Sequence, residues 1–301
     1  MWVQQVGCGV QALTFARDGR TLYTLDTQGR LIAWDTSTRA KREIGVGRQS
    51  RDINAEHFFE LPNGRLLLDT PSACELVDPV TGAFKLAILL GRRGGARDVT
   101  VLPDGYAFFI HVSGRAIGRT NLLTGEELPL LDVPGVEVSR RVVAVSVALD
   151  RRSAFVNAPS LGKHILFDIT PDHRLVKREP DVVVSAPQML RFALDGRTAV
   201  LLGIYDRQLT VWDIERREAR AKPVWWAGGE VRIAFNPVLP LFAVPHTQNT
   251  VAIRSLETGE LVRELDFVLG KQITALAFAP DGLTCAVGGT NKRFAVFDVD
   301  V

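Results

Sequence analysis

The sequence has little of what marks membrane, secreted or metal-binding proteins. Its longest apolar runs, such as residues 86–90, have the length of one strand, whereas a membrane-spanning helix needs about 20 apolar residues. Residues 1–5 have neither the basic segment nor the continuous apolar segment of a signal peptide. Cys8, Cys74 and Cys285 form no Cys-x-x-Cys pair, so neither a disulfide framework nor a zinc site is indicated. We expect a cytoplasmic protein without a bound metal.

Sequence patterns of common catalytic sites are also lacking. There is no Gly-x-Ser-x-Gly motif for a serine nucleophile and no His-Glu-x-x-His motif for a catalytic metal. The glycine-rich segment 91–95 is not followed by a predicted helix whose N-terminus would hold a phosphate. We therefore predict no enzymatic activity, no catalytic residue and no cofactor.

The overall composition is that of an ordinary globular protein. Hydrophobic residues make up 46% of the 301 residues and charged residues 23%, which is far from the composition of disordered chains. The net charge of +2 gives no general attraction to nucleic acid. Because the length alone allows one large domain or two smaller ones, internal repeats must decide the organisation.

A turn motif recurs along the whole chain at steps of 41 to 46 residues. Asp-Gly and Asn-Gly pairs between apolar strands predict tight turns, because Gly and Asn tolerate positive φ angles. The clear copies are Asp18-Gly19, Asn63-Gly64, Asp104-Gly105, Asp195-Gly196 and Asp281-Gly282, and divergent copies stand at 150–151 and 238–239. Seven copies at one period indicate seven structural units.

A second motif, an aromatic residue followed by Asp, keeps the same period at steps of 42 to 47 residues. Between the two motifs, apolar and polar residues alternate as they do in strands, so each unit is predicted to be a meander of three or four short strands. Full or conservative copies are Trp34-Asp35, Phe167-Asp168, Trp212-Asp213 and Phe297-Asp298. Divergent copies are Val77-Asp78, Thr120-Asn121 and Arg254-Ser255.

The period and both motifs resemble those of the WD-repeat family, and the resemblance covers essentially the whole chain. It implies an all-β fold in which residues 1–301 form a single seven-bladed β-propeller of four-stranded antiparallel blades. The blades are expected at about 10–47, 53–91, 96–134, 142–182, 188–226, 230–268 and 272–301. The blade-signature residues that match the family motif, or a divergent copy of it, are Trp34, Asp35, Asp78, Phe167, Asp168, Asp206, Trp212, Asp213, Phe297 and Asp298.

The chain departs from the family pattern at the entrance of each unit. It contains no Gly-His pair, and the turn Asp that precedes the aromatic residue by six positions is matched only by Asp206. The buried hydrogen-bonded tetrad of the family is therefore not expected. Blade cohesion must come mainly from apolar packing, which contributes about 25 cal/mol per Å² of buried area.

The outer strand of the seventh unit has no counterpart at the C-terminal end. The unassigned segment 2–7 is short and apolar-rich, and in this family an N-terminal strand completes the last blade by main-chain hydrogen bonds. Such pairing removes an open sheet edge. Trp2, Val3 and Val6 would also be poor residues to leave in water. We therefore predict that residues 2–7 complete the seventh blade.

Charges are distributed unevenly over the predicted loops. The loops that enter the blades and those between second and third strands share one predicted face, the entry face, which carries 15 basic residues, Arg178 among them, against 10 acidic ones. We hypothesise that this face binds an acidic peptide or protein, because Arg and Trp are enriched in interface hot spots. The expected contact residues are Arg48, Arg92, Arg93, Arg140, Arg141, Trp225, Trp226 and Lys271.

Other interpretations stay open at this point. The arginines could form a solvated rim, and Trp225 and Trp226 could pack between blades. A propeller enzyme of the lactonase or lyase kind with an axial metal is a second alternative, with His111 and His246 as candidate ligands. Nucleic-acid binding is not expected, because the basic loops lack interleaved stacking aromatic residues. The leading interpretation is a monomeric, non-catalytic scaffold for protein–protein interactions without membrane contact.

Overall fold

The computed structural model describes residues 1–46, 58–70, 73–89, 99–102, 104–111, 115–134, 144–158, 163–178, 187–203, 207–225, 232–247, 249–267 and 272–300. Strands in these ranges form seven antiparallel sheets, and no described residue is helical. In particular, these ranges contain no helix with the length and apolar character that a membrane span requires. The fold is the all-β propeller predicted from the repeat, with seven four-stranded antiparallel blades.

Each blade is a meander in which consecutive strands pair antiparallel. Chain order starts with β1 (Trp2–Gln5). Blade 1 contains β2 (Val10–Phe15), β3 (Thr21–Asp26), β4 (Arg30–Asp35) and β5 (Lys41–Val46). Blade 2 contains β6 (Phe58–Glu60), β7 (Leu66–Thr70), β8 (Ala73–Val77) and β9 (Phe84–Leu89). Blade 3 contains β10 (Val99–Val101), β11 (Tyr106–Ile110), β12 (Ala116–Asn121) and β13 (Glu127–Asp132).

The remaining blades follow the same pattern. Blade 4 contains β14 (Ala144–Val147), β15 (Ser153–Ala158), β16 (Lys163–Ile169) and β17 (Leu175–Lys177). Blade 5 contains β18 (Pro187–Phe192), β19 (Thr198–Gly203), β20 (Gln208–Asp213) and β21 (Glu218–Ala219), and β20 also pairs with the short β22 (Val224–Trp225). Blade 6 contains β23 (Ala234–Phe235), β24 (Leu241–Pro245), β25 (Thr250–Ser255) and β26 (Leu261–Asp266). Blade 7 contains β27 (Ile273–Phe278), β28 (Thr284–Gly289), β29 (Arg293–Asp298) and β1.

The N-terminal strand completes the seventh blade, as predicted. β1 pairs antiparallel with β29, so that Trp2 lies opposite Val296. The α-amino group of Met1 lies 3.3 Å from a carboxylate oxygen of Asp298. Both ends of the described chain thus share one sheet, and β29 is not an open edge strand.

The chain divides into two compact units, and the first consists of Met1–Leu86 and Trp225–Val301. In this unit an apolar cluster between blades 7 and 1 includes Phe294, which is fully buried. The rings of Trp2 and Trp34 both meet Phe294 in edge geometry, each with 5.2 Å between ring centroids. Such aromatic pairs contribute about 0.5 to 1.5 kcal/mol beyond the area that they bury. Phe294 therefore links the N-terminal strand to blade 1.

The second unit, Ala87–Val224, contains two further apolar clusters between blades. In β16, Phe167 belongs to the cluster with blade 3, which includes Phe108, while its neighbour Leu166 belongs to the cluster with blade 5. That second cluster contains Phe155 and Phe192, whose ring centroids are 5.3 Å apart. Successive side chains of one strand point to opposite faces of its sheet, so β16 packs against both neighbouring blades.

The first repeated motif forms the turn between the first and second strands of a blade. In blade 1 the backbone N–H groups of Arg20 and Thr21 donate to the carboxylate of Asp18, and Gly19 has a φ of +69°. The Asp therefore acts through its side chain, and only the Gly uses the left-handed region. Five other blades have the same hydrogen bond, in which the backbone N–H two residues further along the chain donates to the side chain of the Asp or Asn. The acceptors are Asn63, Asp104, Asp150, Asp195 and Asp281.

The second motif ends the third strand and builds the next turn. The backbone N–H groups of Ser37 and Thr38 donate to the carboxylate of Asp35, and so does the Ser37 hydroxyl. These hydrogen bonds, that of the Ser37 hydroxyl above all, lower the pKa of Asp35 to about 2. Equivalent turns are built on Asp78, Asn121, Asp213 and Ser255.

Replacing Trp2 by Ala is expected to lower the free energy of unfolding by about 2 kcal/mol, the transfer free energy of one large apolar side chain. Val3, the next residue of β1, is 41% exposed. Val3→Ala is therefore the matched control, and it should change the stability by less than about 0.5 kcal/mol. Urea unfolding followed by circular dichroism measures both variants. If Trp2→Ala and Val3→Ala had the same free energy of unfolding, the anchoring role of Trp2 would be contradicted.

An NMR titration of the carboxyl carbon should give Asp35 a pKa of about 2, and Ser37→Ala should raise it. Because the folded-state pKa lies below the ordinary value of 3.8, this carboxylate stabilises the fold fully above the ordinary value. The contribution is lost as the pH falls through about 2. A titration curve that Ser37→Ala leaves unchanged would show that the hydroxyl does not hold the carboxylate.

Candidate binding site

Most residues predicted for the entry face lie outside the described ranges. They are Arg48, Arg92, Arg93, Arg140, Arg141, Trp226 and Lys271. Trp225 is described: it lies in β22 and is 57% exposed. This exposure does not fit the alternative in which Trp225 packs between blades.

The aromatic signature residues lie in the apolar clusters between blades or pack against them. Trp34, Phe167 and Phe297 are buried, and the indole N–H of Trp34 donates to the Thr24 hydroxyl at 2.8 Å. Trp212 packs against the cluster between blades 4 and 5. Asp206, the one match to the family's turn Asp, lies outside the described residues.

The cysteine thiols and the side chains that could bind a metal do not form a common site among the described residues. Cys285 is fully buried, and this burial raises the pKa of its thiol to about 12, so the thiol stays protonated at neutral pH. Cys74 is also buried, and Cys8 is partly exposed. Within the described ranges, no three His, Cys, Asp or Glu side chains converge where they could hold a metal ion. His111 and His246 accordingly belong to no such group.

A cleft of about 1020 Å³ lies between blades 3 and 4, within the second unit. Its apolar lining includes Phe108 of β11, Leu128 of β13 and Ile169 of β16. Its polar lining includes several basic side chains, among them Arg119 of β12 and Arg178, which follows β17. A volume of this order and a mainly apolar wall with a few placed polar groups are typical of ligand sites.

Arg119 carries a buried positive charge into this cleft, since only 5% of the residue is exposed. Its Nε and Nη2 donate to the carbonyl oxygen of Pro129 at 3.0 and 2.6 Å, and its Nη1 lies 3.3 Å from Nδ1 of His173. A guanidinium can only donate, so Nδ1 is the acceptor in this contact. Burial lowers the pKa of Arg119, and no carboxylate of the described chain opposes that effect.

The position of Arg119 is apolar in every other blade. Strand pairing places Arg119 opposite Phe108, one residue before the position of the motif's aromatic residue. The equivalent residues in the other six blades are Ala33, Leu76, Leu166, Val211, Ile253 and Val296. A guanidinium in such a place carries a desolvation penalty of roughly several kcal/mol. Packing between blades does not require it, because four of these apolar residues belong to, or pack against, the clusters between their blades: Ala33, Leu166, Ile253 and Val296.

Arg151 lines the cleft in a backbone conformation that L-residues rarely adopt. It has a φ of +59° in the first turn of blade 4, where blades 1, 2, 3, 5 and 7 have Gly. Its guanidinium lies 4.1 Å from the centroid of the Tyr106 ring and 2.7 Å from a carboxylate oxygen of Asp104. These contacts with blade 3 hold the left-handed residue in place. Strained residues of this kind cluster at functional sites.

Blade 4 also uses the Asp of its second motif differently. Its turn is built on Thr170, whose hydroxyl accepts the backbone N–H of Arg174. The carboxylate of Asp168 pairs instead with the guanidinium of Arg178, and both residues line the cleft. Arg178, which was counted with the basic entry loops, directly follows β17, and its side chain reaches Asp168 near the end of β16.

The sequence motifs did not single out this cleft. The available signal was one residue: when the seven units are aligned by their second motif, Arg stands at position 119 where the other units have an apolar residue. The pattern could not show that Phe108, Arg151 and His173 surround it. These residues lie on different strands and turns and meet only in the folded chain.

Comparison with known proteins leaves the family open. No protein-family model and no curated protein matches the chain. The likeness to the WD-repeat family therefore rests on the period, the two motifs and the observed blades.

Arg151→Ala is expected to lower the free energy of unfolding by about 1 to 2 kcal/mol, because it loses the Tyr106 and Asp104 contacts and keeps the strained backbone. Arg151→Gly loses the same contacts but relieves a strain of about 1 kcal/mol, so it should be the more stable of the two. Thermal unfolding compares them. Gly196→Ala, at the matching turn of blade 5, is the control and should destabilise through strain alone. An Ala variant as stable as the Gly variant would contradict the left-handed conformation.

Proposed function

We propose that the protein is a divergent WD-repeat scaffold that binds an acidic peptide or protein on its entry face and catalyses no reaction. The propeller fold supports this proposal, because each blade presents loops on a framework of paired strands. In this proposal the protein acts as a monomer in the cytoplasm. The fold by itself does not identify a partner, so the case depends on the site.

The observation that carries the proposal is the exposure of Trp225. Trp225 is 57% exposed, although burial of a tryptophan ring is strongly favourable. Exposed tryptophans rimmed by charged residues are typical of interaction surfaces. The entry loops of the sequence supply the arginines Arg92 and Arg93 for an acidic partner. Arg binds carboxylates in a bidentate manner, which gives orientation as well as attraction.

Charge reversal of the entry loops tests the proposal. The purified protein is used to capture partners from its native host, and captured proteins are identified by mass spectrometry. The double variant Arg92→Glu and Arg93→Glu is expected to lose an acidic partner that the unchanged protein captures. Trp225→Ala should weaken its binding by about 2 kcal/mol, the loss typical of an interface hot spot.

The matched control reverses another arginine pair. Arg216 and Arg217 are exposed in the turn between β20 and β21 of blade 5. Changing both to Glu alters the net charge of the protein as much as the entry-loop double variant does. Because this turn is not an entry loop, capture of the partner should persist. Equal capture by the control and the entry-loop variant would overturn the entry-face proposal. A stoichiometric metal ion together with hydrolytic activity in the purified protein would favour the enzyme alternative.

A further inference from the structure

We propose that the cleft between blades 3 and 4 is a second binding site, and that it takes a monocarboxylate on an apolar stem, with the carboxylate held by Arg119. The site is built from Arg119, Phe108, Leu128, Ile169 and their neighbours rather than from the entry loops. It does not depend on the scaffold function proposed above.

Arg119 retains hydrogen-bond donors for such a ligand. A guanidinium has five N–H bonds. Three of them are used by the carbonyl oxygen of Pro129 and by Nδ1 of His173. The other two, one on each terminal nitrogen, have no acceptor among the described residues. Two such N–H groups match the two oxygens of a carboxylate.

The charges around the cleft leave room for one negative charge. Arg178 is paired with Asp168, and Arg151 is paired with Asp104. Arg152 and Asp150, which both line the cleft, are a further cation and anion. Arg119 is the remaining cation, and its described acceptors are neutral. A monoanion would balance it, whereas a phosphate dianion would also be repelled by the two aspartates of the lining.

The apolar walls define the rest of the ligand. Phe108 lies directly opposite Arg119 on the neighbouring strand, and Leu128, Leu149 and Ile169 also line the cleft. A carboxylate alone would leave most of the 1020 Å³ to water. Each methylene group that a ligand buries against these walls should strengthen binding about fourfold. The site therefore favours a carboxylate with an aliphatic or aromatic stem over acetate.

Arg254, the other buried arginine among the described residues, differs from Arg119 in the charges around it. It is also 5% exposed, its Nη1 donates at 2.9 Å to the carbonyl oxygen of Gly259 in the turn of its own blade, and its Nε has no hydrogen-bond partner among the described residues. Burial lowers its pKa, and the carboxylate of Glu264 acts in the opposite direction. Arg119 has no corresponding carboxylate, so the two buried arginines differ in what remains to be neutralised.

Calorimetric titration with simple ligands tests the site. Hexanoate is expected to bind at least about tenfold more tightly than acetate, because it buries more methylene groups. Hexanamide, which has the same shape without the charge, and inorganic phosphate should not compete with it. A peptide with an accessible Glu side chain forms the second arm. If the peptide competes with hexanoate, the natural ligand is a carboxylate of another protein. If it does not compete, the natural ligand is a free small carboxylate. Both results are consistent with a carboxylate site in the cleft.

Variants assign the binding to Arg119. Arg119→Met keeps an unbranched apolar stem without the guanidinium and should abolish hexanoate binding. Arg119→Lys keeps the charge without the paired donors and should weaken binding at least about tenfold. Arg216→Met removes a charge outside the cleft and should bind as the unchanged protein does. Leu128→Trp fills the cleft from its lining and should also abolish binding, which keeps the test available if the Arg119 variants do not fold.

Two results would overturn the proposal. One is the absence of hexanoate binding to the unchanged protein at ligand concentrations up to about 10 mM. A dissociation constant above this value would be too weak for a specific site. The other is unchanged binding by folded Arg119→Met. The double variant Arg92→Glu and Arg93→Glu should bind hexanoate normally, so a failure of the entry-face proposal is distinguishable from a failure of the cleft proposal.

Discussion

The middle strands of the blades bury both of their faces, and most other features depend on this constraint. β16 shows it directly, because Phe167 faces blade 3 and Leu166 faces blade 5. A strand buried on both sides needs apolar residues at consecutive positions, which leaves the turns as the main places for polar residues. Polar side chains in the strands are therefore costly and informative. Arg119 is the clearest case, since it occupies a position that is apolar in the other six blades.

Much of the fold could be predicted because its signals are local and repeated. Asp18-Gly19 and Trp34-Asp35 each specify one turn through hydrogen bonds within a few residues, so their recurrence revealed the blades. The pairing of β1 with β29 was also predictable, since one strand was missing and one apolar segment was unassigned. The cleft could not be predicted in the same way. Its contacts, such as that of Arg119 with His173, join residues 54 positions apart in neighbouring blades.

The Asp of the second motif makes different contacts in different blades. Asp35 holds its turn by accepting backbone N–H groups, whereas Asp168 at the matching position pairs with Arg178. The difference arises because the turn of blade 4 is built on Thr170, which leaves the Asp168 carboxylate available for the cleft. A repeat of this kind keeps its strands through apolar burial and turn geometry. Individual polar residues are then able to diverge without loss of the blade.

The pairing of β1 with β29 has a consequence for biosynthesis. β1 leaves the ribosome long before β29, because Met1 and Asp298 are separated by 297 positions. At roughly 5 to 20 residues per second, the first strand waits about 15 to 60 seconds for its partner. During that interval Trp2 lacks the ring of Phe294, and the polar backbone of β1 is free to pair with any open strand edge. Until β29 emerges, the nascent chain is therefore open to strand exchange with another copy of itself.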